Sequence, residues 1–230
     1  MKHKIYRIVC TALCCAPLLA TAQTGGKITS PQRLYEEGES LFRQKAFAAA
    51  MPPLQAFIKQ TDAEGAPVSA AGNKEEAEYI LVCAEYELRN PTSIELLREY
   101  LDTYPDTPHA NRICAFIASA YFFEGKYDDA LAMFNSSRLD LLSNEERDDM
   151  TYRLATCYLK TGNVKEAAIW FETLRSTGSR YTADCTYYLA YIRYSQQRYD
   201  DALSGFLSLQ DNAKYEALVP YYIAEIYLIK

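Results

Sequence analysis

The segment Ala118-Ser-Ala-Tyr121-Phe-Phe-Glu-Gly125-Lys-Tyr127-Asp-Asp-Ala130-Leu-Ala-Met-Phe134 decides the fold, because the chain repeats it. A second copy reads Ala155-Thr-Cys-Tyr158-Leu-Lys-Thr-Gly162-Asn-Val164-Lys-Glu-Ala167-Ala-Ile-Trp-Phe171 and matches in residue type at every structural position. A third runs from Ala190 to Phe206, with Tyr199-Asp-Asp-Ala202-Leu repeating Tyr127-Asp-Asp-Ala130-Leu. The same register finds weaker copies started by Gly38 and Ala84 and the opening of another at Ala224, so the small residues stand 46, 34, 37, 35 and 34 positions apart. A period of that length is the signature of stacked supersecondary units that bury a core only against their neighbours.

Helix packing explains the residue types. Two helices approach closely only where one side chain is nearly absent, which is met by Gly38, Ala84, Ala118, Ala155, Ala190 and Ala224 on first helices. Ala50, Ala130, Ala167 and Ala202 meet the same need on second helices. Tyr121, Tyr158, Phe134, Phe171 and Phe206 then fill the space between, at spacings that keep them on one helical face. Gly125 and Gly162 suit the left-handed conformation that ends a helix. Asn73 with Glu76, Thr92 with Glu95, Ser143 with Glu146 and Asn163 with Glu166 fit helix-starting capping boxes. Two segments break the rhythm. Residues 62–73, with Gly65, Pro67 and Gly72, read as a long loop between the first two hairpins. Pro52-Pro53 falls within an expected second helix, which it should kink or delay.

Ile117-Ala118-x-x-Tyr121 and Leu154-Ala155-x-x-Tyr158, followed by Ala130-x-x-x-Phe134, Ala167-x-x-x-Phe171 and Ala202-x-x-x-Phe206, resemble the tetratricopeptide repeat (TPR) over about Gln32 to Lys230. The family's opening Trp is absent, its place taken by Cys114, Thr151 and Thr186, and its closing Pro survives only around Tyr104 to Pro108. The resemblance implies an all-α chain: a right-handed α-solenoid of antiparallel helix pairs, about five hairpins plus the first helix of a sixth. It also implies that the first helices line a concave surface. Projecting the register inward selects Tyr35, Phe42, Leu81, Leu88, Phe122, Tyr152, Tyr187, Tyr191, Tyr194 and Tyr221 as a candidate face for a protein or peptide partner, rimmed by Glu39, Glu85, Arg89, Asp184 and Glu225. Relatives that grip a terminal carboxylate do so with Lys and Asn. Here those places hold Tyr35, Glu39, Leu81, Glu85, Ala115, Ser119, Tyr152 and Thr156, so that mode is not expected.

Residues 1–22 read as a secretory leader: a basic start with Lys2, Lys4 and Arg7, an apolar run from Ile8 to Leu19, and a small-residue cleavage site at Ala20-Thr21-Ala22. Residues 23–31 are a short extension. Leu13 and Cys14 stand where a lipidation signal carries a small residue, so a lipid anchor is not expected. No stretch reaches the ~20 apolar residues of a spanning helix. Without the leader, 21 basic side chains face 30 acidic ones, a net charge near −9 that argues against nucleic acid. Cys83, Cys114, Cys157 and Cys185 lie on separate repeats and read as buried thiols rather than a disulfide framework.

Chemistry is sparse. The chain beyond the leader has one histidine, His109, which reads as a solvated residue at a helix start. No His-x-x-x-His, Gly-rich phosphate loop or Gly-x-Ser-x-Gly elbow occurs. Asp128-Asp129, Asp148-Asp149 and Asp200-Asp201 suit helix beginnings and solvated faces. No catalytic group, metal or cofactor is expected. The last helix, placed over Tyr215 to Lys230, is apolar nearly all round, which points to further repeats or to a subunit contact. The leading reading is an exported, non-enzymatic scaffold or adaptor, similar to periplasmic TPR proteins of cell-envelope assembly. The alternatives are a glycan-binding component of an uptake system and the sensing ectodomain of a longer signalling protein.

Overall fold

The computed structural model describes residues 30–62 and 73–230. The leader expected over 1–22, residues 23–29 of the extension and 63–72 of the long loop lie outside the described residues. Eleven α-helices follow one another among the described residues: α1 Pro31–Arg43, α2 Phe47–Thr61, α3 Lys74–Glu87, α4 Ser93–Thr103, α5 Ala110–Phe123, α6 Tyr127–Asn135, α7 Asn144–Lys160, α8 Val164–Ser176, α9 Thr182–Ser195, α10 Tyr199–Leu207 and α11 Val219–Ile229. Each odd-numbered helix packs against the helix after it, and each even-numbered helix against the next odd one. The odd helices also touch in sequence, α1 on α3, α3 on α5 and α5 on α7. The result is an α-solenoid with one layer of first helices and one of second helices.

The turns inside the hairpins share one device. Lys45, Arg89, Gly125, Gly162 and Gln197 all have positive φ, between 58° and 82°. At each, the amide of that residue bonds the carbonyl three back and the next amide bonds the carbonyl five earlier, as in Lys126 N to Tyr121 O at 3.0 Å and Arg198 N to Arg193 O at 2.9 Å. This closes each first helix with the Schellman pattern. Glycine does so without strain, whereas Lys45, Arg89 and Gln197 each forgo about 1 kcal/mol.

The same motif corrects the register of the second hairpin. Asn90 N bonds Glu85 O, which aligns Val82, not Ala84, with Ala118, Ala155 and Ala190, two residues off the sequence expectation. Ala84 is fully buried and misled the alignment because the small residue expected at this place is a valine here, and the nearest alanine stands two residues on.

The small residues perform as the packing argument requires. Ala118, Ala155, Ala190, Ala50, Ala130, Ala167 and Ala202 have no exposed surface. A Cβ on Gly38 would sit 2.5 Å from Leu54 Cγ, and one on Gly205 would sit 2.8 Å from Ala190 Cβ, so the helices touch through bare backbone. Ala224 is exposed, because nothing stacks on α11. Phe57, Phe171 and Phe206 are fully buried between layers.

Local details depart from expectation. Of the four expected capping boxes only Ser143 caps its helix with its side chain, and without the reciprocal bond from its own amide: its hydroxyl accepts from Glu146 N and donates to the Glu146 carboxylate at 2.7 Å. Asn73, Thr92 and Asn163 precede their helices without a side-chain bond to the first turn, and at Thr92 the amide is satisfied by Asn90 Oδ1 at 3.2 Å instead. α2 runs unbroken through Pro52 and Pro53. The carbonyls those prolines leave unpaired belong to Ala48 and Ala49, which are exposed to water. The last helix starts at Val219 rather than Tyr215, with Pro220 in its first turn, where a missing amide proton is harmless. Replacing Phe171 by Ala leaves a void between α7, α8 and α9, and the expected loss in urea unfolding is about 3–5 kcal/mol.

Candidate functional site

One polar contact recurs at every junction between consecutive first helices. A polar side chain six residues before the small residue reaches the residue nine before the next small residue. Gln32 accepts from Asn73 at 3.5 Å, Glu76 meets His109 Nε2 at 2.8 Å, and Arg112 Nε donates to Glu146 at 2.7 Å. Asp149 accepts from Tyr181 OH at 3.1 Å, and Asp184 accepts from Tyr215 OH and Lys214.

Three residues further along the same helix a tyrosine stacks on the ring so held. Tyr79 lies on His109 at 3.6 Å, Tyr152 on Tyr181 at 4.4 Å and Tyr187 on Tyr215 at 4.7 Å, with interplanar angles of 7°, 11° and 15°. The i, i+3 spacing puts the polar group and the ring over one patch of helix surface. Burial raises the phenol pKa of Tyr79, Tyr152 and Tyr215 above the ordinary value, and at Tyr215 the Asp184 carboxylate adds to the rise.

Three expectations are corrected here. His109 is half-buried and bonded, not a solvated turn residue. Asp149 is a junction acceptor that also pairs with Arg180 at 2.5 Å. Asp184 is only 8% exposed and is no rim residue.

The ten side chains selected from sequence divide accordingly. Tyr152 and Tyr187 belong to the junctions. Tyr35 packs on Phe57 at 5.5 Å, Phe42 on Phe47 at 5.4 Å and Phe122 on Phe123 and Tyr127, all half-buried between helices. Tyr194 packs edge-on against Tyr199 and Tyr222. Leu81 and Leu88 are corrections that follow from the register shift: Leu81 faces α2 beside Gln55 and Ile58, and Leu88 is the exposed C-cap of α3. Tyr191 and Tyr221 are open, at 39% and 74%.

The corrected register places Tyr79, Tyr86 and Glu87 of α3 on the inner layer beside α5 and α7. Tyr86 stacks on Phe116 at 4.2 Å and donates to Ser119 Oγ at 2.7 Å. Arg153 from α7 donates to that same oxygen at 2.5 Å. Its guanidinium lies 4.8 Å from the Phe123 ring, on which Arg89 also sits at 3.4 Å. Arg112 covers Phe116 at 5.1 Å. These residues form a band of alternating rings and guanidinium groups along α3, α5 and α7, ending in the half-exposed Phe123 and in Arg89, which has no carboxylate partner among the described residues. Beside it an open cavity of about 890 Å³ is walled by Phe42, Phe47, Tyr79, Glu87 and Arg112. A signal for this band was present in the sequence: Glu76-x-x-Tyr79 has the same form as Asp149-x-x-Tyr152 and Asp184-x-x-Tyr187, and fixes the register that Ala84 obscured.

Cys83, Cys157 and Cys185 are buried, which pushes each thiol up to about 12, while Cys114 is only partly buried; all four are unpaired. Among the described residues no three His, Cys, Asp or Glu side chains stand close enough to hold a metal ion, and no helix is long and apolar enough to cross a membrane.

A stack of helical hairpins joined in this way is the architecture of tetratricopeptide-repeat proteins, and residues 117–183 match the family model described as Tetratricopeptide repeat. Solved structures agree in fold. MamA of AMB-1 is 18% identical over 80% of this chain and 92% of its own, with a TM-score of 0.58. PilF of Pseudomonas aeruginosa is 15% identical over 86% and 89%, with a TM-score of 0.56. A putative kinesin light chain of Podosopora anserina with nearly identical TPR-like repeats is 15% identical over 82% and 99%, with a TM-score of 0.52. No curated protein matches the chain.

The junction rule is testable at Asp184. Asp184→Ala leaves Tyr215 OH and Lys214 without their acceptor, and chemical denaturation should report a loss of about 1–3 kcal/mol. Asp201→Ala, on an exposed helix start, should change stability by less than about 0.5 kcal/mol. Equal effects from the two variants would mean that the junction bond contributes nothing.

Proposed function

We propose that this protein is an exported, non-enzymatic scaffold that holds a protein or peptide partner on its layer of first helices and serves cell-envelope assembly or maintenance. The leader-like residues 1–22 support export to the periplasm or envelope. The observation that carries the binding role is the open end of the band along α3, α5 and α7, where the Phe123 ring is 46% exposed with the Arg89 and Arg153 guanidinium groups against it, while Phe116 and Tyr86 behind it are buried. Aromatic and Arg side chains dominate recognition because they bury large area at little entropic loss. Tyr191 extends the accessible aromatic surface toward α11. An acidic chain of this kind has no nucleic-acid partner in this reading.

A photo-crosslinking residue at Phe123 should capture a partner that the same residue at Ile169, on the second-helix layer, does not. Phe123→Ala and Tyr191→Ala should weaken that partner by about tenfold or more, with thermal midpoints within about 2 °C of the parent. A loss of stability comparable to that of Phe171→Ala would show instead that these rings are core.

The exposed side of α11 supports a second contact, to a further repeat or another subunit through residues 215–230. Ala224, the equivalent of the buried Ala190, is open, and Leu218, Tyr221 and Leu228 around it are 43%, 74% and 87% exposed. Residues 23–230 should therefore associate in light scattering or bind a hydrophobic dye. A monodisperse monomer that ignores the dye contradicts this contact.

A further inference from the structure

We propose that the cleft where α6, α7 and α8 meet is a binding site for a small aliphatic or aromatic monocarboxylate, separate from the inner layer and independent of the scaffold role. The cleft has a volume of about 390 Å³, within the range of small-ligand sites. Its walls are apolar, formed by Phe134, Leu139, Leu154, Trp170 and Leu174. One wall comes from residues 136–143, a connection longer than the 177–181 link between α8 and α9, which folds into the turn Leu139–Leu141 and buries Leu139 at the cleft.

Two polar groups in the cleft have bonding capacity left over. Thr151 is 6% exposed and lines it, yet its hydroxyl makes no hydrogen bond among the described residues. Thr103, Thr156, Thr161, Thr173 and Thr186 all donate to the carbonyl four residues back, so the behaviour of Thr151 is not a property of helical threonine. No fully enclosed side-chain oxygen or nitrogen is left unpaired. The Thr151 hydroxyl is therefore reachable, and the space it opens to is the cleft. A hydroxyl that opens to the cleft and has no protein partner is free to donate to a ligand acceptor there.

The second group is Arg147. Its one side-chain bond is to Asn144 Oδ1 at 2.8 Å, and no carboxylate pairs with it among the described residues. Asp140 and Asp148 share the lining: Asp140 is held by Arg138 at 2.6 Å, and Asp148 makes no ion pair among the described residues. Arg147 is the lining cation without a carboxylate partner, so the head of an incoming anion has to meet Arg147 and Thr151 rather than Asp148. An apolar floor with one free guanidinium and one free hydroxyl specifies an apolar body with a single carboxylate head.

Trp170 is the sole tryptophan, so its emission reports the cleft directly. Titration with octanoate should shift that emission saturably, and 1-octanol should bind about tenfold more weakly or worse for want of the charge. Arg147→Gln and Thr151→Val should each weaken octanoate by about tenfold. Thr151→Leu, which fills the cleft, should abolish the response while keeping or raising the thermal midpoint. An unchanged Trp170 emission with octanoate in the parent protein overturns the proposal and identifies the cleft as a packing void. Equal affinity for octanoate and octanol, or full binding by Arg147→Gln, overturns it as well.

Discussion

The structure depends on contact between helices at places where a side chain is missing or reduced to a methyl group. Gly38 admits Leu54 to a distance that any Cβ would block, and Ala190 and Gly205 meet in the same way in the fifth hairpin. Once two helices touch there, the side chains a turn away have a fixed gap to fill, and Phe57, Phe171 and Phe206 fill it without exposed surface. Stacking is short-ranged, because each hairpin sees only its neighbours. Each contact therefore has to carry its own specificity.

The junction rule supplies that specificity. An apolar stack alone would tolerate sliding of one hairpin on the next. A polar group paired with a ring tip, three residues from a tyrosine that covers the ring, admits one register only. Glu76 with Tyr79, Asp149 with Tyr152 and Asp184 with Tyr187 repeat the arrangement with different rings. Arg112 with Glu146 keeps the pairing with the charges exchanged and with Ala115 in place of the tyrosine. At that third hairpin no ring is spent on the junction. Phe116 is buried under Arg112, and Phe123 stays exposed beside Arg153 and Arg89. Many of the 20 tyrosines thus have a structural use, and the surface open to a partner is narrower than tyrosine abundance suggests.

The comparison with relatives is one of fold. MamA and PilF share the architecture at 18% and 15% identity, a level at which packing residues persist while surfaces diverge. The binding role attributed here therefore rests on the inner layer of this chain, and the carboxylate cleft on Thr151 and Arg147, neither of which follows from the fold.

The sequence by itself determined the all-α class, the hairpin period, the buried alanines and the glycine turns at Gly125 and Gly162, because each follows from local backbone preference or from steric need at a single position. It also carried the Glu76-x-x-Tyr79 pattern, which becomes legible only beside Asp149-x-x-Tyr152 and Asp184-x-x-Tyr187. Tertiary structure decided that Val82 rather than Ala84 keeps the register, against the preference for a small residue, through the left-handed turn at Arg89 that closes α3. It also decided that His109, Asp149 and Asp184 would be held rather than solvated, and that Thr151 would lack a partner. Those outcomes depend on side chains some thirty residues apart meeting across a junction, a distance over which pairwise geometry leaves no trace in local sequence.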